Sequence, residues 1–171
     1  MICARPSLAL PRRAFIFSVN AMQSEQIREF PRALGLDVGS QTIGLALTDE
    51  ARIAAHPLTV LSRVGNSGDA RAVAAVVAEH GVGDVVVGMP FELSGKRGHR
   101  ARRVDAFVAV LRGALPAGVR LHEQDERFTT AEAERALIAA DLPRARRRGV
   151  IDRHAAALIL QAWLDAQRPR G

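Results

Sequence analysis

From Ala33 onward, short apolar runs alternate with longer amphipathic ones. Ala33–Val38 and Ile43–Thr48 are predicted strands, the second with Ile43, Leu45 and Leu47 in strict alternation. His56–Leu61 is a third short run, and Pro57 within it predicts an edge strand. Ser62–Asp69, which holds Gly65-Asn66-Ser67-Gly68, reads as a loop. Ala70–Glu79 follows as a helix with Ala70, Val73, Ala74 and Val77 on its buried stripe, and Gly81 stops it. Asp84–Met89 is a continuous apolar run of the kind found in central parallel strands. After a polar loop at Phe91–Gly98, a helix runs to about Leu111. Val104, Phe107, Val108 and Leu111 face inward in it, and Arg100, Arg103 and Arg112 outward. Pro116-Ala117-Gly118 turns into the strand Val119–Asp125. Thr129 opens another helix, with Glu132 completing a capping box. Asp141–Gly149 reads as a basic loop, and the last helix begins near Asp152, with Ile151, Ala155, Leu158, Ile159 and Ala162 on one face.

Three strands in a meander followed by two right-handed crossovers give an α/β fold. It has a mixed five-stranded sheet of order 3-2-1-4-5 with helices on both faces. The strand ending at Asp37 is then central, beside Asp84–Met89. Residues 1–31 differ from the rest: they hold Pro6, Pro11 and Pro31, several arginines and no acid before Glu25. Their composition is that of a targeting peptide, a disordered extension or an over-long start with Met22 as a sensible beginning; we expect a poorly ordered appendage. Residues 32–171 form the expected single domain.

Composition sharpens the choice of partner. Lys and Arg number 24 against 18 Asp and Glu, for a net charge of +6 over 171 residues, and Lys96 is the sole lysine. Arginine forks onto phosphates, so the excess fits a polyanionic partner as well as it fits a solvated face. The absence of tyrosine argues against a base-stacking platform. One cysteine allows no internal disulfide, which suits a reducing compartment. No apolar run approaches the ~20 residues of a membrane helix.

Three acidic sites stand at element ends. Asp37 closes the first strand just before Gly39-Ser40-Gln41-Thr42, and Gly39 and Gly44 leave room there for a metal or a phosphate. Asp125 and Glu126 end the last strand, and Asp152 opens the last helix, where the helix dipole would keep it ionised. In an open sheet a ligand lies beyond the carboxyl ends of the strands. Carboxylates gathered there repel by ~4 kcal/mol per pair at 4 Å in an effective dielectric of about 20. Two Mg²⁺ or Mn²⁺ ions relieve that repulsion and equip the site for phosphodiester hydrolysis. Alternation sends Asp125 and Glu126 to opposite faces; the longer Glu126 is the expected ligand, with Asp125 secondary. Taken singly, each acid also has a plain structural use: turn amides for Asp37, Arg127 as partner for Glu126, helix capping for Asp152. Lys96, Arg97 and Arg100, then Arg127, then Arg144, Arg146, Arg147 and Arg148 lie near the same edge as candidate phosphate contacts. His122 and His154 read as structural.

The ordered set of motifs resembles the YqgF/RuvX family, Holliday-junction-resolvase-like proteins also described as pre-16S rRNA nucleases. The matching pieces are Leu36-Asp37-Val38-Gly39 through Ile43-Gly44-Leu45-Ala46, then Val86-Val87-Gly88-Met89-Pro90. They continue with Asp125-Glu126-Arg127-Phe128-Thr129-Thr130 and Val150-Ile151-Asp152 with Ala155-Ala156. Phe91-Glu92-Leu93-Ser94-Gly95 departs from the family's usual Leu-Asn-x-x-Gly. The resemblance implies an RNase H-like fold and a divalent-metal nuclease with Asp37, Glu126 and Asp152 as its acids. It also implies a cytoplasmic role in maturation of precursor 16S rRNA during ribosome biogenesis, with precursor particles as partners. Competing expectations are a Holliday junction resolvase, a non-catalytic nucleic-acid-binding factor, and an actin-like ATPase. The last lacks a second Asp-Gly-Gly-type phosphate motif. No dimer surface is evident in the sequence, so a monomer is expected.

Overall fold

The computed structural model describes residues 31–92, 94–126 and 144–168, with the backbone alone for 144–151. Its elements are β1 (Arg32–Val38), β2 (Thr42–Thr48), β3 (Ala55–Ser62), α1 (Asn66–His80), β4 (Val82–Met89), α2 (His99–Ala114), β5 (Arg120–Asp125) and α3 (Arg144–Gln167). The helix expected from Thr129, the extension before Pro31 and Arg127 lie outside the described residues.

The five strands form one sheet of order β3-β2-β1-β4-β5, as the patterning predicts. β1 is antiparallel to β2 and parallel to β4, and β4 is parallel to β5. Pro57 sits on the edge strand β3, where the pairing with β2 slips between Leu45 and Ala46. An edge position leaves the missing proline N–H without cost to the ladder.

Strand alternation sorts the residues into two unlike faces. Leu34, Leu36, Val38, Ile43, Leu45, Leu47, Val85, Val87 and Met89 pack with Val73 and Val77 of α1 and Val104, Phe107 and Leu111 of α2 in the larger core. The other face carries small residues, among them Ala33, Ala46 and Val86, and packs against Ala156, Ile159, Leu160, Trp163 and Leu164 of α3. A Cβ added to Gly35 would lie 2.7 Å from the Ala156 carbonyl oxygen, so this face is kept low to let the helix settle onto it. α3 lies across β1, β2 and β3 and touches β4 and β5 less.

Two boundaries differ from the sequence expectation by more than three residues. α1 starts at Asn66, so the segment expected as loop forms its first turn. Asp69 explains this: its carboxylate accepts the Val64 N–H at 2.8 Å and Arg63 Nε at 2.9 Å, tying the turn down. More consequentially, α3 starts at Arg144, and the stretch expected as a basic loop is helical from there on. Arginine and alanine are strong helix formers, and one interior glycine, Gly149, costs only ~1 kcal/mol. Asp152 therefore stands two turns inside α3, beyond the first turn where the helix dipole acts.

Candidate active site

Asp37 is the last residue but one of β1, paired in register with Gly44 of β2. It lies one position beyond the Leu36–Val87 pair with β4, which brings Gly88 to its other side. Alternation turns it toward α3, away from the larger core. The two glycines flanking it hold the key to the arrangement. A Cβ on Gly44 would meet the Asp152 carbonyl oxygen at 2.1 Å and the Arg153 nitrogen at 3.0 Å. A Cβ on Gly88 would meet Glu126 Oε1 at 1.9 Å and Ile159 Cδ1 at 2.6 Å. Gly44 thus admits the helix backbone at Asp152, and Gly88 admits the Glu126 carboxylate.

This corrects the expectation that Gly39 and Gly44 leave clearance for a metal or a phosphate. Gly39 closes the hairpin, its N–H donating to the Thr42 carbonyl at 2.9 Å. The space over Gly44 is filled by α3.

Glu126 follows β5 directly and is buried. Its N–H donates to the Met89 carbonyl at 3.2 Å, extending the pairing that matches Asp125 with Met89. Asp152 is held by Thr42, whose Oγ1 donates to Asp152 Oδ2 at 2.6 Å. The sequence reading missed Thr42. Its signal was available: it stands two residues before Gly44, on the same face of β2.

The electrostatics show that the acids sense one another. Asp37 is pushed up to about 6, first by burial and then by the Asp152 charge, with Arg100 opposing. Glu126 is pushed up to about 7 by burial and then by Asp37, with Arg100 again opposing and Asp125 adding to the rise. Like charges brought together out of water raise carboxyl pKa values in this way. Among the described residues, no three His, Cys, Asp or Glu side chains are already gathered as a metal-holding group.

The basic residues separate into kinds. Arg100, near the start of α2, is exposed and acts on both Asp37 and Glu126. Lys96 is exposed on the loop before α2. Arg97 is engaged within the fold, bonded to Asp105 and to Glu123 and stacked over Phe91. Arg144, Arg146, Arg147 and Arg148 lie on the first turns of α3, just before Asp152 in the chain. His154 is exposed, and His122 lies away from the acids, bonded to Asp84. No helix among the described residues is long and apolar enough to cross a membrane.

Comparison with known proteins adds three findings. Residues 31–166 match the family described as "RuvX: Holliday junction resolvase". A protein of Pelotomaculum thermopropionicum named "Putative pre-16S rRNA nuclease" is 48% identical over 141 residues, covering 81% of this chain and 90% of its own length. One of the same name from Myxococcus xanthus is 44% identical over 138 residues, covering 81% and 90%. Among solved structures, T. thermophilus RuvC in complex with a Holliday junction superposes with a TM-score of 0.50 at 17% identity, covering 81% of this chain and 96% of that one. The Fowlpox virus resolvase in complex with Holliday junction DNA gives 0.53 at 10% identity, covering 81% and 99%. The five-stranded mixed sheet with helices on both faces is therefore the RNase H-like fold of the resolvases.

Proposed function

Because the chain belongs to the RuvX family, we propose that it is a divalent-metal-dependent nuclease acting in maturation of the 5′ end of precursor 16S rRNA in the cytoplasm. Asp37, Glu126 and Asp152 are its catalytic acids, and Asp125 is secondary. The observation that carries this reading is that Glu126 and Asp152 are seated over Gly88 and Gly44, the two glycines flanking buried Asp37; burial and then the Asp152 charge raise Asp37, and burial and then Asp37 raise Glu126. Near neutral pH two such buried carboxyls cost the fold stability, and a cation meeting them offsets that cost.

The donor set fits Mg²⁺ or Mn²⁺, since it is made of carboxylate oxygens, with no sulfur or imidazole among the three acids. When bound, two such ions supply an activated water and stabilise charge on the leaving oxygen. The residues supply the frame. Thr42 fixes one oxygen of Asp152, Gly88 seats Glu126, and Arg100 offsets part of the negative charge. In the reaction a water oxygen bonds to phosphorus and the P–O3′ bond breaks. A proton passes to the 3′ oxygen, leaving a 3′-hydroxyl and a 5′-phosphate. Lys96, Arg97, Arg100, Arg127 and the arginines at 144, 146, 147 and 148 are the proposed contacts to the nucleic-acid backbone. The names of the relatives favour precursor rRNA; the protein acts on it as a monomer, on free RNA or within a ribosomal precursor particle. The description of the family makes a four-way DNA junction the second reading.

The test is cleavage of a precursor 16S 5′ segment and of a four-way DNA junction, with Mg²⁺ or Mn²⁺, by wild type and Asp37→Asn. We expect the RNA to be cut and the variant to lose at least ~10²-fold in rate while still binding. Cleavage of the junction alone moves the assignment to resolvase. Full activity of Asp37→Asn removes the acids from the mechanism. A second readout avoids turnover: cation binding must displace protons from Asp37 and Glu126, so Mn²⁺ affinity should rise from pH 5 to pH 8.

A further inference from the structure

At the opposite end of the sheet from the acids, an open cavity of about 690 Å³ is lined by Arg52, Asp84, Arg120, His122, Trp163 and Arg168, among others. Asp84 is on β4, four residues before Gly88, which puts the two places ~13 Å apart along one strand. The nuclease reading does not use this cavity.

Its chemistry is that of an anion site built on an internal template. Asp84 is 1% exposed, yet three cationic or potentially cationic side chains converge on it. Arg120 grips it with Nε at 2.7 Å and Nη2 at 2.9 Å. Arg52 Nη1 reaches Oδ2 at 2.9 Å, and His122 Nε2 lies 2.8 Å from Oδ1. One carboxylate neutralises one guanidinium, so the cluster keeps net positive charge. It also keeps donors: among the described residues, Arg120 Nη1 and the Nε and Nη2 of Arg52 carry no hydrogen bond. Arg168 stands at the rim, where its Nη2 donates to the Ile53 carbonyl at 2.7 Å and its charge is met by Asp165 at 3.2 Å, so the net charge rests on Arg52 and Arg120.

Arg52 is held in place at a conformational cost. It is the one described non-glycine residue with positive φ, at 54°, a region that costs a side-chain-bearing residue about 1 kcal/mol or more. The guanidinium so placed lies 5.3 Å over the Trp163 ring, which also packs against His122 at 5.0 Å. Asp84, then, orients two forks, and the indole stiffens that of Arg52. A buried acid whose cationic partners remain partly unbonded and line an open cavity is arranged for an external anion.

We infer that this cavity is a second, non-catalytic binding site for a phosphate group, taken by the forks of Arg52 and Arg120. Guanidinium forks match tetrahedral oxyanions with several acceptor oxygens better than they match a single-charge ion. The phosphate belongs either to a nucleic-acid backbone or to a free or terminal phosphate monoester.

Trp163 is the chain's single tryptophan, and there is no tyrosine, so intrinsic fluorescence reports on this cavity. The full-length protein, with EDTA present and ionic strength held constant, is titrated with pyrophosphate, inorganic phosphate, and a short single-stranded oligonucleotide with and without a 5′-phosphate. Wild type should give a saturable change. Arg120→Gln should weaken it by about tenfold or more, the usual effect of losing charge-assisted hydrogen bonds. Arg120 is 65% exposed, so its replacement leaves the core intact, which circular dichroism checks. Arg120→Lys, which keeps the charge without the fork, should bind measurably less tightly than wild type. A response to the oligonucleotide lacking a terminal phosphate assigns a backbone phosphate. A response confined to pyrophosphate, phosphate and the phosphorylated oligonucleotide assigns a monoester. No saturable change, a change equalled by chloride, or wild-type affinity in either Arg120 variant overturns the site.

Discussion

At the scale of single residues, the candidate site depends on a hydroxyl that no motif advertises. Thr42 Oγ1 fixes one oxygen of Asp152 at 2.6 Å, and the Asp152 charge acts on Asp37. Thr42→Val keeps the shape of the side chain and removes that donor. A hydrogen bond to a charged group is worth ~1.5–3 kcal/mol, so Mn²⁺ affinity or turnover should fall by roughly tenfold or more. The thermal midpoint should move little, because a part-buried Asp152 can turn to water. Mn²⁺ titration beside the melting curve separates the two; unchanged affinity and turnover would make the contact merely structural. Asp37 was legible in the sequence because an acid inside an apolar strand demands a reason. Thr42 was not, because its partner is more than a hundred residues away and reaches it only through the docking of α3.

At the scale of elements, one helix and two glycines set the geometry. Gly44 faces the helix backbone at Asp152, whereas Gly88 faces the end of the Glu126 side chain and Ile159. These neighbours differ in how far they can yield. Gly44→Ala pushes α3 off β2 and should cost ~1–3 kcal/mol or more, the range for overpacking. Gly88→Ala displaces a side chain that can rotate, so it should lose activity out of proportion to stability. Chemical denaturation together with the cleavage assay tests the contrast; equal stability losses would defeat it. The strand order and the edge placement of Pro57 follow from alternation and chain order alone. The start of α3 did not, because an arginine-rich run with one glycine reads equally well as loop or helix until the helix has something to pack against. The Asp84 cluster was hidden for a related reason. It exists only once β4 and β5 pair with Asp84 beside Arg120.

For the whole molecule, the acids make stability depend on pH with a definite sign. Asp37 and Glu126 have folded pKa values near 6 and 7, above their ordinary values near 4. The folded protein therefore holds protons that the unfolded chain releases. Their contribution is full below about pH 4 and is lost as pH rises through 6 and 7. At ~1.4 kcal/mol per pKa unit, the loss amounts to a few kcal/mol. Asp84 works the other way. Burial alone would raise it, but its hydrogen bonds to Arg120, His122 and Arg52 prevail and hold it at about 2, so its contribution is lost only as pH falls from about 4 toward 2. From these groups the metal-free protein should be most heat-stable near pH 4 and less so at pH 8, and Asp37→Asn should flatten the decline. A melting curve that rises steadily to pH 8 would contradict the arrangement of the acids.

The contact between Gly44 and the backbone of Asp152 also orders events in time. All five strands precede α3 in the chain, so during synthesis Asp37 and Glu126 exist before their third companion. The strands are complete in the chain before α3 is made, and the proposed acid site is not. The proposed cutting site is thus completed by α3, the latest of the described elements to emerge.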